Sequence, residues 1–153
     1  MEKHEAVIAA RIEDDHRRLK QSMDAMVAEI AREISPEEYA TWKLDILSKL
    51  RDFQNQVLKH FDLEEENGFL DDVLRLAPQH RRRVERLEKE HRKINADLNH
   101  IVSVVKNVES PTSVKIERVR EQLRALIEVF EAHESAEHDL MQSVYYQDYG
   151  VGD

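Results

Sequence analysis

Cysteine is absent from this chain of 153 residues, and glycine and proline occur only three times each. Without cysteine the chain can form no disulfide and no thiolate metal site, and it has no cysteine nucleophile, a composition that suits the cytoplasm. Tight turns depend largely on glycine and proline. Their scarcity, together with 41% hydrophobic and 36% charged residues, indicates an all-α protein with few connections.

Long apolar runs and an excess of positive charge are also missing. No uninterrupted apolar stretch approaches the ~20 residues that a membrane-spanning helix needs, and the charged N-terminus does not resemble a secretory signal. The net charge of −9 argues against non-specific nucleic-acid binding, which relies on lysine and arginine neutralising phosphates. We therefore expect a single cytoplasmic domain over residues 1–153, frayed over 146–153, with no nucleic-acid or membrane partner.

Apolar residues recur at steps of three and four in four long segments, which is the period of an amphipathic helix. The predicted helices cover residues 2–33, 36–66, 79–108 and 113–147, with a short helical or irregular piece over 69–76. The residues assigned to the apolar stripes include Val27, Leu58 and Val129. Four long helices joined by short connections predict an up-down-up-down four-helix bundle.

Three short motifs define the predicted helix ends. Ser35 is expected to cap the second helix, with Pro36 in the first helical position and Glu38 completing a capping box. Asn67-Gly68 is a stop signal of the kind that follows a helix C-terminus. The sequence Ser-Pro-Thr-Ser at 110–113 breaks the chain before the last helix.

Histidine is the over-represented residue, with eight copies. One histidine falls on the apolar stripe of every long helix, and two glutamates follow a histidine by four residues and therefore share its helix face. Polar side chains directed into a core are costly unless they are paired or hold a metal. The inward set consists of His16, His60, Glu64, His91, His133 and Glu137.

Four imidazoles and two carboxylates in a bundle core suit a pair of first-row metal ions. Each ion could take two histidines, while Glu64 and Glu137 bridge both. Imidazole with carboxylate and without thiolate favours iron, with manganese and zinc as alternatives. The count leaves coordination positions for an oxo or hydroxo bridge and for an exogenous ligand, and the sequence offers no separate nucleophile or general base.

Two observations keep a metal-free polar core open as an alternative. Acidic residues number 32 of 153, so about one or two pairs of histidine and acid at i,i+4 spacing arise by chance. The expected positions of His16 and His60 along the bundle axis also disagree. His16 lies nearer to the connection between the first two helices than His60 does. At ~1.5 Å per residue the mismatch is ~10 Å.

The remaining histidines receive no ligand role: His4, His80, His100 and His138. His138 is the strongest competitor because it adjoins Glu137, but it is rotated by ~100° from that residue on a helix. A ferritin-like di-iron site would need two Glu-x-x-His motifs on different helices. Glu88-x-x-His91 is one match, but neither His60 nor His133 has a glutamate three residues before it.

Four segments of the sequence resemble the hemerythrin-like family of HHE cation-binding domains. The ordered pattern H…HxxxE…H…HxxxE covers nearly the whole chain. The resemblance implies a hemerythrin-like four-helix bundle around a non-haem di-iron centre that two carboxylates bridge. The matching segments are His16 in DDHRRL, His60 and Glu64 in HFDLE, His91 in EKEHRKI, and His133 and Glu137 in HESAE.

Two positions depart from the pattern of the oxygen-carrying hemerythrins. Those proteins have HxxxH in the third helix, where this chain has Asn95 at the second position. Their last ligand pair is HxxxxD, whereas here His138 occupies the i+5 position and Glu137 at i+4 takes the role. The pattern is therefore closer to HHE proteins associated with iron or oxygen sensing, nitric oxide and stress response, and di-iron release or repair.

The sequence therefore predicts a non-haem di-iron protein that binds or reduces a small oxidant, namely dioxygen, peroxide or nitric oxide. Two oxo- or hydroxo-bridged iron ions are the expected cofactors. The alternative is an iron- or oxygen-responsive sensor module without turnover. If the chain is an enzyme, reduction of peroxide or of nitric oxide is the expected activity.

Overall fold

The computed structural model describes residues 3–66, 68–109 and 113–147, and the side chains of residues 7–66, 68–109 and 115–145. Asn67 of the predicted stop signal and residues 110–112 of the predicted break lie outside the described residues. So do residues 148–153 of the predicted frayed tail. In the described part of the chain, no helix is long and apolar enough to cross a membrane.

Long helices dominate the described structure. The helices are α1 (Lys3–Ala31), α2 (Tyr39–Glu65), α3 (Phe69–Leu76), α4 (Arg81–Asn107) and α5 (Ser113–Met141). Short 3₁₀ turns precede α2 at Pro36–Glu38 and α4 at Pro78–His80, and a π-helical turn follows α5 at Gln142–Gln147. The predicted first helix ends two residues after α1 does. The predicted third helix begins two residues before α4 and ends one residue after it, and errors of this size are common for helix ends.

The four long helices are neighbours in the cyclic order α1, α2, α4, α5, and α3 packs against α1, α2 and α4 at one end. Contacts between α1 and α2 show that they run antiparallel: Ser22 bonds Gln56, whereas Glu29, later in α1, pairs with Lys49, earlier in α2. The predicted four-helix bundle is confirmed. Burial of the apolar stripes stabilises it, by ~1.5–3 kcal/mol for each large side chain.

Buried apolar residues form two clusters along the bundle axis. The larger cluster fills the end that is distant from α3 and includes Trp42, Phe53 and Phe130. The smaller cluster lies beneath α3 and includes Phe69 and Tyr145. The polar residues of the predicted inward set occupy the layer between the two clusters.

Side chains from α2 and α5 satisfy carbonyl groups at the C-terminal end of α1. Trp42 donates from Nε1 to the carbonyl of Glu29 at 3.3 Å. Arg120 donates from Nε to the carbonyl of Ile30 at 2.5 Å and from Nη2 to that of Arg32 at 3.0 Å. Because the last carbonyls of a helix have no partner within it, these bonds fix the end of α1 against two neighbours.

Three residues assigned to the apolar stripes are exposed. Val27, Leu58 and Val129 expose 41%, 38% and 37% of their surface. Each is adjacent in sequence to a buried residue, and one step along a helix turns the side chain by ~100°. The buried stripe is therefore narrower than the sequence pattern suggested.

The predicted cap of α2 is wrong in its details. Ser35 makes no side-chain hydrogen bond to the backbone; its hydroxyl instead donates to the Glu38 carboxylate at 3.3 Å. The Glu38 amide donates to the Ser35 carbonyl at 3.0 Å, which is the i to i+3 bond of a 3₁₀ turn. The α-helix consequently begins only at Tyr39.

The axial mismatch of ~10 Å that helix spacing suggested does not occur. The connection over 32–38 carries the chain past the end of α1, so that Glu29, two residues before that end, pairs with Lys49, ten residues into α2. The two helices are thereby offset enough to bring the rings of His16 and His60 to a centroid distance of 4.7 Å.

Gly68 joins α2 to α3 by close packing, and not by the left-handed conformation that a helix stop signal of this kind uses. Its φ is −112°, which other residues can adopt. A Cβ at this position would collide with the carbonyl oxygen of Leu63 and lie 3.0 Å from that of Glu64. Glycine is therefore required because the chain folds back against the last turn of α2.

Gly68→Ala should lower the free energy of unfolding of the metal-free protein by ~1–3 kcal/mol, because the added methyl group overpacks a buried backbone contact. Urea denaturation followed by circular dichroism measures the change. Ser48→Ala, at an exposed position of α2, is the control and should alter stability by less than ~0.5 kcal/mol. Equal stability of the two variants would contradict this account of Gly68.

Candidate metal centre

The structure brings the six residues of the predicted inward set into one buried layer. His60, Glu64, His91, His133 and Glu137 are each exposed by 3% or less. His16 differs, because 16% of its side chain remains exposed. The layer therefore has one side that is closer to solvent.

Helical spacing explains how each long helix presents its part of the layer. On α2, His60 and Glu64 are one turn apart, and His133 and Glu137 repeat this arrangement on α5. Residues at i and i+4 share a helix face. On α1 and α4 a single histidine continues the buried apolar stripe. All four long helices thus contribute to one point on the bundle axis.

Glu137 lies at the centre of the layer, with one carboxylate oxygen toward each of two histidine pairs. Its Oε2 is 3.2 Å from Nε2 of His16 and 3.7 Å from Nε2 of His60. Its Oε1 is 3.4 Å from Nε2 of His91 and also contacts Nε2 of His133. One carboxylate therefore contacts a histidine from every long helix.

Glu64 also lies between the two histidine pairs. Its Oε1 is 3.0 Å from Nε2 of His60 and 3.6 Å from Nε2 of His91. The rings of each pair approach edge to face, with a centroid distance of 4.7 Å both for His16 with His60 and for His91 with His133. The ring nitrogens of two pairs and the oxygens of two carboxylates thus converge.

Acidic side chains face the outer nitrogens of three histidines. A carboxylate that accepts from Nδ1–H leaves Nε2 with a free lone pair that points inward. The helical period does not reveal these acids, although each one stands next to an inward residue in the sequence. The pairs are His60 with Asp15 at 3.3 Å, His91 with Glu65 at 3.6 Å and His133 with Glu90 at 2.7 Å.

The two central carboxylates have opposite pKa shifts. Burial and the nearby charge of Glu137 raise the pKa of Glu64 well above its usual range. Burial also raises the pKa of Glu137, but its polar contacts with Glu64 and with the surrounding imidazoles outweigh burial and hold it well below its usual range. The opposite directions of the two shifts place the negative charge of the pair on Glu137 in the metal-free protein.

The histidines next to these carboxylates are more basic than usual. Burial lowers the pKa of His60, but the carboxylates of Glu64 and Glu137 more than offset this effect and raise it to about 11. Burial also lowers the pKa of His133, but the nearby carboxylates of Glu137 and Glu90 reverse the shift, so that the net pKa is raised. Positive charge thus already neutralises Glu137 when no metal is bound.

Unsatisfied polar atoms show that the layer fits a bound cation. Nε2 of His60, Nε2 of His133 and both carboxylate oxygens of Glu64 are buried and have no hydrogen-bond partner among the described residues. His60 and Glu64 approach to 3.0 Å without the alignment of a hydrogen bond. Each such buried group costs ~1–3 kcal/mol. Nitrogen and oxygen donors directed at a common point would be satisfied by metal ions.

Aromatic side chains close the layer on the side of the larger apolar cluster. Phe61 stacks on His91 with a centroid distance of 3.8 Å and an interplanar angle of 10°. It also meets His133 edge to face at 5.7 Å, and Phe130 lies 6.4 Å from the same ring. These contacts exclude water and hold two imidazole planes in fixed orientations.

The other polar candidates lie outside the layer. His100 and His138 are exposed and His80 is half-buried, while the side chain of His4 lies outside the described residues. Asn95, which replaces a histidine of the oxygen carriers, accepts a hydrogen bond from Gln54 at 3.2 Å. Neither His138 nor Asn95 therefore reaches the convergent donors.

The donors divide into two groups whose ligand atoms lie within 4.8 Å of one another and could hold an ion each. A family model described as the hemerythrin HHE cation binding domain matches residues 7–145. The chain belongs to this family. No curated protein and no solved structure gives a significant match. The two groups are Glu64, His91, His133 and Glu137, and His16, His60 and Glu137.

The hemerythrin HHE assignment agrees with the resemblance that the sequence motifs indicated, and with cation binding as the general property of the fold. The chain has two Glu-x-x-His segments, Glu13 with His16 and Glu88 with His91. Both glutamates lie outside the two donor groups found among the described residues. The geometry of this HHE domain therefore follows the order of the HHE motifs and not the ferritin-like alternative.

Glu137→Gln should destabilise the metal-free HHE domain by ~3–5 kcal/mol, because it removes the ionised partner of buried cationic imidazoles. Glu64→Gln is the matched variant on α2. It replaces a neutral carboxylic acid by a neutral amide and should cost less than ~1.5 kcal/mol. Urea denaturation of chelator-treated protein at neutral pH measures both values, and equal losses would contradict the assigned charges.

Proposed function

We propose that this hemerythrin HHE domain holds two iron ions and uses them to bind or reduce a small oxidant, namely dioxygen, peroxide or nitric oxide. The observation that carries the proposal is the position of Glu137, whose two oxygens face two different histidine pairs. A carboxylate in this position can bridge two metal ions, and no single ion would account for both pairs.

The proposed ligands are the six residues of the buried layer. Glu64 and Glu137 bridge the ions, because each contacts one histidine or more from both pairs. The donor count leaves room for an oxo or hydroxo bridge and for an exogenous ligand. The two ions are held by His16 with His60 and by His91 with His133.

Iron is the proposed metal because the donors are imidazole and carboxylate, without thiolate. A bound pair of ferrous ions supplies two electrons, which is the number that reduction of hydrogen peroxide to two waters consumes together with two protons. The protein contributes the ligand geometry, the apolar wall of Phe61 and Phe130, and the charge of the surrounding carboxylates.

The side of the layer around His16 is the proposed entry for the oxidant. His16 is the one proposed ligand with substantial exposure, at 16% of its side chain. Phe61 and Phe130 cover the opposite histidines.

A sensor without turnover is the second candidate function. The supporting observation is that the donors come from all four long helices, so that metal occupancy stabilises the whole bundle. Loss or oxidation of the metal would then change the stability of the domain. Binding by a partner, or cleavage by a protease, could depend on that stability. Both candidates are proposed for the cytoplasm, as the composition suggests.

Purified protein expressed with sufficient iron should contain two irons per chain and show an oxo-to-iron charge-transfer band. His133→Ala should lower the iron content, because it removes a proposed ligand. His138→Ala, five residues further along α5 and exposed, is the matched control and should retain both irons. Elemental analysis and the optical spectrum, recorded after exposure to dioxygen, peroxide and nitric oxide in turn, measure these outcomes.

A folded wild-type protein that takes up no iron would refute the proposed function. Equal iron loss from His133→Ala and His138→Ala would refute the ligand assignment instead, since only one of these side chains reaches the buried layer.

Thermal melting with and without iron distinguishes the two candidate functions. At a free iron concentration about a thousand times the dissociation constant, binding should stabilise the fold by ~4 kcal/mol in either case. A sensor would show this shift in melting temperature with no turnover of peroxide or nitric oxide. Rapid turnover would exclude the sensor without activity.

A further inference from the structure

We infer that three acidic residues, Asp15, Glu65 and Glu90, form an incomplete outer ring in which α1, α2 and α4 each position the histidine of the next helix around the bundle. The inference rests on the proposed function in treating those histidines as metal ligands. Each acid is a positioning residue, which orients a ligand and does not itself reach the central donors.

Two hydrogen-bonded contacts establish the pattern. Asp15 on α1 faces Nδ1 of His60 on α2 at 3.3 Å, although it is adjacent in sequence to His16. Glu90 on α4 faces Nδ1 of His133 on α5 at 2.7 Å, although it is adjacent in sequence to a different ligand. In both cases the acid contacts a histidine of the neighbouring helix and not one of its own helix.

A third contact extends the pattern. Glu65 on α2 lies 3.6 Å from Nδ1 of His91 on α4, which is an ion-pair distance beyond hydrogen-bond length. The order of the contacts is α1 to α2, α2 to α4 and α4 to α5, which follows the packing order of the helices.

Helix geometry explains why all three acids turn the same way. On α1 and α4 the acid precedes an inward residue, whereas on the antiparallel α2 it follows one. One step back along a helix and one step forward along its antiparallel neighbour both lead toward the same end of the bundle. Because both helices are right-handed, both steps also rotate the side chain by ~100° in the same sense.

The ring would set the state of the ligands before a metal arrives. A carboxylate at Nδ1 keeps the proton on that nitrogen, fixes the imidazole plane and makes Nε2 a better donor. Loss of such a partner commonly weakens metal binding by about 10–100-fold. The ring also adds negative charge around a centre whose six proposed ligands include only two carboxylates.

The contact across helices is tested first on metal-free protein with nitrogen-15-labelled histidine. Glu90→Ala should shift the Nδ1 resonance of His133 on α5 and leave that of His91, its neighbour in sequence, unchanged. Glu85→Ala, an exposed position on α4, is the control and should shift neither. A shift confined to His91, or no shift at all, would overturn the ring.

The positioning role is tested by the affinity for ferrous iron, measured without oxygen by competition with a chelator. Glu90→Ala should bind iron about 10–100-fold more weakly than wild type, whereas Glu85→Ala should bind as wild type does. Melting of both variants in the metal-free state separates any loss of fold stability in Glu90→Ala from its loss of iron affinity. Equal affinities would overturn the positioning role.

Failure of the proposed function has a different signature. A wild-type protein that binds no iron refutes the metal centre, and the resonance of His133 in the metal-free protein still decides whether Glu90 holds it. A wild-type protein that binds two irons, with Glu90→Ala and Glu85→Ala indistinguishable in every measurement, refutes the ring and leaves the metal centre standing.

Discussion

Burial of the Glu137 carboxylate is the constraint on which the rest of this bundle depends. Its two oxygens contact a histidine from every long helix, and an ionised carboxylate in an apolar core costs several kcal/mol unless cations compensate it. The helices can meet this requirement only in one register, because a shift by a single residue would turn an imidazole away from the axis. The charge balance of one side chain thus fixes the relative positions of four helices.

The polar layer also divides the apolar core in two. Trp42 and its neighbours hold the connection between α1 and α2 together at one end, while α3, introduced by Gly68, covers the other end. Each cluster can pack independently of the metal, so the helices bring the donors together from both sides. The preorganisation of the layer is consequently a property of the apolar residues around it.

The fold and the inward residues could be predicted from the sequence because the helical period depends on local geometry alone. The same period wrongly placed Val129 inside, since the width of a buried stripe depends on the neighbouring helix. The contact between Asp15 and His60 could not be predicted either. Asp15 adjoins His16 in the sequence, and its partner is decided by register and packing order between helices. Metal ligation by the layer stays a prediction.

Chain order has a consequence for biosynthesis. Both donor groups include Glu137, which belongs to α5, the last of the four bundle helices to be synthesised. A nascent chain that ends before α5 lacks the carboxylate that both groups share. Capture of metal by the two groups would therefore be postponed until α5 has joined the bundle.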